Sequence, residues 1–435
     1  MLRPQRSQWA PFLRIFPMII LLIGLVLPVE VRFNLAGQTL YAYRIAWILV
    51  APWVLMQVFS GRLRLRFNDV LVVLTVVWIT LSFVIVYGFE RGGPAGVALA
   101  LDILIPYLAA RLAIRSFDDF RIFLIAVAPF ALGISALMVI EAVTHTRIIR
   151  GAGQAVFGSI GAAEYGVDLG QAKLSDTRMG LLRATGPFSH PILAGLFFTS
   201  LLPLYWFSML RRWPFLAGLS AAAGAIFSLS SAAFIGIFMF AVLATYDRLR
   251  KMVTFLNWPI FIFVALAFLA TIHLVSEGGL ISIIIRSTLN PASGYYRLLI
   301  WEYGSASVLN YPWFGIGYEQ FKGLPWMLPS VDSFWLATAI RNGLPPALLC
   351  ALATILSIAG LAMNASRQSG VNGTLLIGIA ITMTMFFVLG FTVSFFGNFL
   401  IWFAMILGVA TTFGAITPTK HAVVRRQVRR PISQR

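Results

Sequence analysis

The chain has 435 residues, 59% of them hydrophobic and 11% charged, with a formal net charge of +18. Soluble proteins carry about 25% charged residues, and repeated apolar runs of roughly 17–22 residues exclude a soluble fold and indicate an all-α, polytopic integral membrane protein. The positive charge does not point to nucleic acid, because most Lys and Arg fall in short loops and tails on one side, as the positive-inside rule requires of cytoplasmic segments.

In chain order, a tail at 1–14 precedes span 1 at 15–29, read as an uncleaved first span because no convincing small-residue cleavage site follows it. Span 2, at 44–59, returns to an inner loop bearing Arg62, Arg64 and Arg66. Span 3 (69–87), a Gly/Pro outer turn at 88–95 and span 4 (96–113) lead to a second inner loop, and span 5 covers 122–143. A long outer segment, 144–189, follows. Spans 6 to 9 occupy 190–275, and two of them, at 215–228 and 232–246, are short enough to be half-spans meeting at Ser228, Leu229, Ser230 and Ser231. A second long outer segment, 276–334, precedes spans at 335–362, with a bend at 343–346, 374–395 and 399–416. The basic tail at 417–435 reads as an anchor to anionic lipid headgroups. The expected architecture is thus about 12 transmembrane helices, both ends of the chain cytoplasmic and two long periplasmic loops.

The polar chemistry available to such a chain concentrates in the two long loops. Arginine suits bidentate recognition of phosphate, and outside the membrane a lipid-borne pyrophosphate is the natural ligand. Arg178 and Arg183 flank a Leu-Leu pair ahead of ATGPFSHPILAG, and they serve either that role or pairing with Asp176 or phospholipid phosphates. Arg297 lies in a helix-like apolar run that would embed it, with Trp301 one turn later. Asp332, at the mouth of the following span, is placed either to accept a proton from a sugar hydroxyl or to cap the helix. Glu302 is a second candidate base or an arginine partner. His190, after a Gly-Pro turn, is more often a hydrogen-bonded structural group than a reactive one. Asp102 lies deep in span 4, which suggests function or a buried partner, and Arg44 is at a matching depth. Trp301, Trp313, Trp326 and Trp335 are sugar-stacking platforms or members of an interfacial aromatic belt. The one cysteine, Cys350, and four unpaired histidines (145, 190, 273 and 421) offer no metal centre, and neither a Walker sequence nor GxGxxG is present. No metal or cofactor is expected.

RATGPFSHPILAG at 183–195, YYRLLIWE at 295–302, YPWFGIGYEQF at 311–321 and the VDSFWL and RNGLP elements within 331–345 together resemble the family of O-antigen ligases and Wzy-type polysaccharide polymerases. The resemblance covers about residues 180–365. It implies a GT-C-like membrane fold and an inverting, metal-independent glycosyl transfer at the periplasmic face of the bacterial inner membrane. The implied donor is a glycan on undecaprenyl pyrophosphate, and the implied acceptor is a glycan or glycolipid, lipid A-core for a ligase or another lipid-linked repeat unit for a polymerase. It assigns pyrophosphate binding to Arg297 and matches Arg183 to the family's arginine ahead of the Gly-Pro-Phe-x-His element, while Arg178 is a candidate from its position alone. Two departures bear on the choice. Where many ligases carry a histidine this chain has Asp332, and where many members have Ser-Arg it has Ser230-Ser231, which leaves polymerase at least as well supported as ligase. The competing class, a transporter or flippase of lipid-linked oligosaccharide, requires ionisable residues along a path inside the spans, for which Asp102 and His273 are the candidates.

Overall fold

The computed structural model describes residues 10–35, 38–158, 177–253, 255–275, 291–327, 330–368 and 370–415. The two tails, residues 159–176 with Asp176, and residues 276–290 of the second loop lie outside the described residues, as do the His273 side chain and His421. The fold is mostly helical. Helix α1 spans Ala10–Val26, and a short hairpin of β1 (Arg32–Leu35) and β2 (Gln38–Tyr41) leads into α2 (Ala42–Phe59). Then come α3 (Phe67–Ala113), α4 (Phe117–Thr144) and the short α5 (Ile148–Phe157). The hairpin of β3 (Thr177–Arg178) and β4 (Leu181–Leu182) precedes α6 (Pro191–Trp206), α7 (Trp213–Leu219), α8 (Ala221–Phe227), α9 (Ser231–Met252) and α10 (Trp258–Val275). Last are α11 (Pro291–Asn310), α12 (Phe334–Asn342), α13 (Leu344–Arg367), α14 (Val371–Leu389) and α15 (Asn398–Gly414).

Among the described residues six helices, α2, α3, α4, α9, α13 and α14, are long and apolar enough to cross a membrane. Shorter apolar helices, including α6 and α15, accompany them. The core is organised around α15, which is buried from Asn398 to Phe413 and packs against α1, α3, α6, α13 and α14. A helix apolar on every face belongs at the centre of a bundle.

Two glycines shape the path of the chain. Gly88, at φ +77°, breaks α3 into two antiparallel arms that pack directly on one another, so residues 89–95 are helical instead of forming the expected outer turn. The arms are held at their far ends, where Arg111 Nε donates to Asp69 Oδ1 at 2.7 Å and Tyr107 donates to the same oxygen at 2.7 Å. Gly343, at φ +84°, separates α12 from α13, which places the expected bend at 343–346. A Cβ there would sit 2.0 Å from the Trp313 carbonyl oxygen. The PWFGIG segment docks backbone to backbone on this junction, through Ile316 N to Ile340 O at 2.8 Å, Gly317 N to Arg341 O at 2.9 Å and Leu344 N to Pro312 O at 2.8 Å. The expected break at 228–231 is also present, but the helix beyond it, α9, has 22 residues and is no half-span. Alpha-8 ends at Phe227, α9 starts at Ser231, and Leu229 between them has φ +45°.

Candidate active site

Three segments far apart in sequence meet at one end of the bundle. The first is the stretch 177–190. Beta-3 and β4 pair in register, Thr177 with Leu182 and Arg178 with Leu181, across a turn in which Met179 and Gly180 both have positive φ. That is the backbone of a two-residue hairpin turn whose twist suits the flanking strands. The hairpin directs Arg178 onto the α8–α9 break, where Nη1 donates to Leu229 O at 3.0 Å. Arg183 follows immediately and is buried, with 7% of its surface exposed. Ala184 N bonds Phe227 O at 3.1 Å, stitching this stretch to the same break.

A carboxylate within α4 fixes the turn beyond. Glu141 is fully buried; its Oε2 accepts from the backbone N of Thr185 and Gly186 at 3.3 and 3.1 Å, and its Oε1 from Ile149 N at 3.2 Å. One side chain thus ties the 185–186 turn to the start of α5. A second buried pair, Arg150 Nε to Glu30 Oε1 at 2.7 Å, fastens α5 to the segment after α1. Backbone donors satisfy both oxygens of Glu141, and Arg150 neutralises Glu30, whose Oε2 has no hydrogen-bond partner among the described residues.

The second segment is α11, which carries Arg297. Ile300 and Val308 pack with Leu336, Ala339, Ile340 and Ala347 in a small core of their own. This satellite core holds α11 along α12 and so brings Arg297 to the third segment, the approach to α12. There Arg297 Nε lies 3.8 Å from Asp332 Oδ2. That is an ion pair by charge but too long for a hydrogen bond. The Arg297 side chain is 11% exposed and its Nε has no hydrogen-bond partner among the described residues.

Asp332 does not cap α12. Ser333 does, with Oγ accepting from Leu336 N at 3.3 Å and donating to Gly390 O at 3.1 Å. The Asp332 side chain, 41% exposed, has Arg297 as its ion-pair partner among the described residues. Loss of hydration raises its pKa above the usual carboxylate range, and Arg297 and then Arg183 pull it back. Both guanidinium groups therefore act on one carboxyl. Arg178 joins them, because burial and the nearby Arg297 charge lower its pKa.

His190 is the N-cap of α6, with Nδ1 accepting from Ile192 N at 3.2 Å. Burial, and then Arg183, Arg147, Arg178 and Arg150, push it down to about 3. It is a neutral structural ring beside the arginines, the more ordinary of its two readings. Glu302 is exposed and makes no ion pair among the described residues, so its expected pairing with an arginine does not occur there. Trp301 and Trp335 are engaged in packing, donating to Phe391 O at 3.2 Å and Phe387 O at 3.0 Å. Trp313 and Trp326 remain exposed. Asp102 has the partner expected for it, with Arg44 Nη2 to Oδ2 at 2.9 Å and Trp47 Nε1 to Oδ1 at 2.9 Å.

The site thus assembles three arginines, one accessible carboxyl and a neutral histidine. Among the described residues no group of three or more His, Cys, Asp or Glu could hold a metal ion. Sequence reasoning found the arginines and Asp332 but missed Glu141 and Glu30. The signal for Glu141 was an acid a few residues inside the end of an apolar span, where ionisable groups are costly unless partnered. Comparison with known proteins finds no family model and no curated relative that this chain matches.

Proposed function

We propose that this protein is a membrane glycosyltransferase of surface-polysaccharide synthesis, which transfers or polymerises a glycan from an undecaprenyl-pyrophosphate donor in the manner of O-antigen ligases and polymerases. The observation that carries the reading is that Arg297 stands 3.8 Å from the Asp332 carboxyl, while Arg183, buried in a separate segment, also bears on that carboxyl electrostatically. On this reading the site-bearing end faces the periplasm, the arginine-rich loops face the cytoplasm, and the protein resides in the bacterial inner membrane.

The chemistry follows from the charges. Arg297 and Arg183 bind the pyrophosphate and stabilise the negative charge that grows on it as the anomeric carbon–oxygen bond breaks. Arg178 stands at the α8–α9 break, so it brings a guanidinium to the place where the resembling family carries Ser-Arg and this chain has Ser231. Asp332 accepts the proton of the acceptor hydroxyl as its oxygen bonds to the anomeric carbon from the opposite face, which inverts the configuration. Pyrophosphate leaves as the anion, so no strong general acid is needed. The raised pKa of Asp332 suits a base, because a more basic carboxylate takes a proton more readily.

The transporter reading draws its support from ionisable groups within spans. The clearest of these, Asp102, is closed into a buried pair with Arg44 and Trp47. A purified sample incubated with a polyprenyl-pyrophosphate glycan and an acceptor tests the proposal. Chain-extended or acceptor-linked product with stoichiometric release of polyprenyl pyrophosphate is the expected result. Movement of intact donor across liposomes with no bond cleavage would replace the enzyme reading with the transporter one.

A further inference from the structure

At the opposite end of the bundle the loop between α2 and α3 and the loop between α3 and α4 enclose a cavity of about 480 Å³. Arg62, Arg64, Arg66, Arg111 and Arg115 line it, with Thr412 of α15 closing one wall. No carboxylate among the described residues lines it. The two nearest are already committed. Asp69 accepts from Arg111 at 2.7 and 2.8 Å, from Tyr107 at 2.7 Å and from the backbone N of Arg66 at 2.8 Å. Asp119 accepts from Arg14 at 3.0 Å and from the backbone N of Arg115 and Ser116 at 3.1 and 2.9 Å.

The arginines are held from behind. Arg66 Nη1 donates to the Thr411 and Thr412 carbonyls at 2.6 Å each, at the C-terminal end of α15, and Arg111 Nη1 donates to Thr412 Oγ1 at 3.1 Å. Arg62 Nη1 donates to Gln57 Oε1 at 2.8 Å and Arg115 Nε to Leu112 O at 2.9 Å. The Arg64 guanidinium donates to nothing among the described residues and is exposed. The crowding leaves a mark. Burial and the Arg111 charge lower the pKa of Arg66, and burial with Arg14 and Arg62 lowers that of Arg115. The positive-inside rule asks only for cations near the membrane surface. It does not call for five of them around one cavity with the acids turned away.

We propose that this cavity is a binding site for the phosphate group of an anionic phospholipid headgroup. Guanidinium groups on several sides offer paired N–H donors to phosphate oxygens, and basic pockets at the ends of transmembrane helices bind such headgroups. The bound phosphate supplies the counter-charge that the cavity lacks and clamps the α2–α3 and α3–α4 loops against the end of α15. The inference is independent of the glycosyltransferase reading.

Titration of the full-length protein in detergent with short-chain phosphatidylglycerol, phosphatidylcholine and inorganic phosphate, read by thermal unfolding, tests it. Phosphatidylglycerol should raise the melting temperature saturably and phosphatidylcholine should not. In R62K/R64K, which keeps the charge and the topology signal but loses the forked donors, apparent affinity should fall about tenfold. R64Q removes a side chain with no hydrogen bond among the described residues and should weaken binding without lowering the ligand-free melting temperature. A saturable, variant-sensitive shift with inorganic phosphate alone would uphold the anion site and assign it to the free ion. No saturable shift with either phosphatidylglycerol or phosphate, or R62K/R64K binding as well as wild type, would overturn the proposal.

Discussion

Two Arg–Asp pairs in this protein are opposite in character. Arg111 and Asp69, at one end of the bundle, meet in a two-pronged contact at 2.7 and 2.8 Å, with side chains 4% and 1% exposed. Arg297 and Asp332, at the other end, stand 3.8 Å apart, with side chains 11% and 41% exposed. The first pair satisfies its donors and acceptors internally, as a pair kept to fix structure must. The second pair leaves a buried guanidinium N–H unused and a carboxyl open to approach. An incomplete contact of this kind is where a ligand adds what the protein has left out. Mutation separates the two pairs by which property fails, activity or stability.

The largest effect is expected at Arg297. Arg297→Glu places a negative charge where the donor's pyrophosphate would bind, and transfer should fall by at least about 1,000-fold, the scale of losing a preorganised charge stabiliser. The variant should still insert and unfold cooperatively near the wild-type temperature, because its partner is partly solvated. Polymer length or product yield measured beside membrane content checks this, and normal product in the variant would remove Arg297 from the mechanism. Asp69→Ala should behave in the reverse way. It strands Arg111 as a buried, unpaired cation, which costs about 3–5 kcal/mol. Thermal unfolding in detergent reads this loss, while any protein that remains folded should retain its activity per molecule.

Asp332→Asn comes next, with a loss of about 100-fold in turnover, the lower range for a positioned general base. The pH profile carries more information than the magnitude. A base works deprotonated, so wild-type transfer should decline as pH falls through the Asp332 pKa, which lies above the usual carboxylate value. That limb should vanish in the variant. Stability should move the other way. A carboxyl whose folded-state pKa is raised binds its proton more tightly when folded, so its stabilising contribution is complete below the unfolded pKa and is lost as pH rises through the folded one. Above the folded-state pKa the amide therefore should cost no stability.

The contrast between the pairs also explains what could be read from the sequence. In a chain with so few charges, each polar residue in a long loop stands out, and Arg178, Arg183, Arg297 and Asp332 were visible for that reason. The convergence of Arg183 and Arg297 was expected only through the family resemblance, because physically it depends on Glu141 gripping the 185–186 turn and on a satellite core seating α11 along α12. The Gly-x-Gly and Arg-Asn-Gly elements stood out as motif residues, yet what they supply is a backbone-to-backbone joint between 312–317 and 340–344. No periodicity announces such a joint, since the contact involves main-chain atoms far apart in sequence. The Arg44–Asp102 pair was legible, because two ionisable groups at one depth in an apolar bundle have little else to meet.

The smallest effect concerns two adjacent residues. Asp332 and Ser333 are both residue types that cap helices, and the sequence offered the first for the role that the second fills. Ser333 Oγ accepts from Leu336 N and donates to the Gly390 carbonyl, so it fixes both the first turn of α12 and the distance of that turn from the end of α14. Ser333→Ala should cost about 1 kcal/mol of stability, the usual value of a lost N-cap, and should lower turnover modestly by loosening the position of the neighbouring carboxyl. Because the proposed proton acceptor is intact, the acid limb of the pH profile should survive in Ser333→Ala while it disappears in Asp332→Asn. If both variants lost that limb, the titrating group would not be Asp332, and the division between a residue that holds the helix and one that faces the reacting hydroxyl would have to be redrawn.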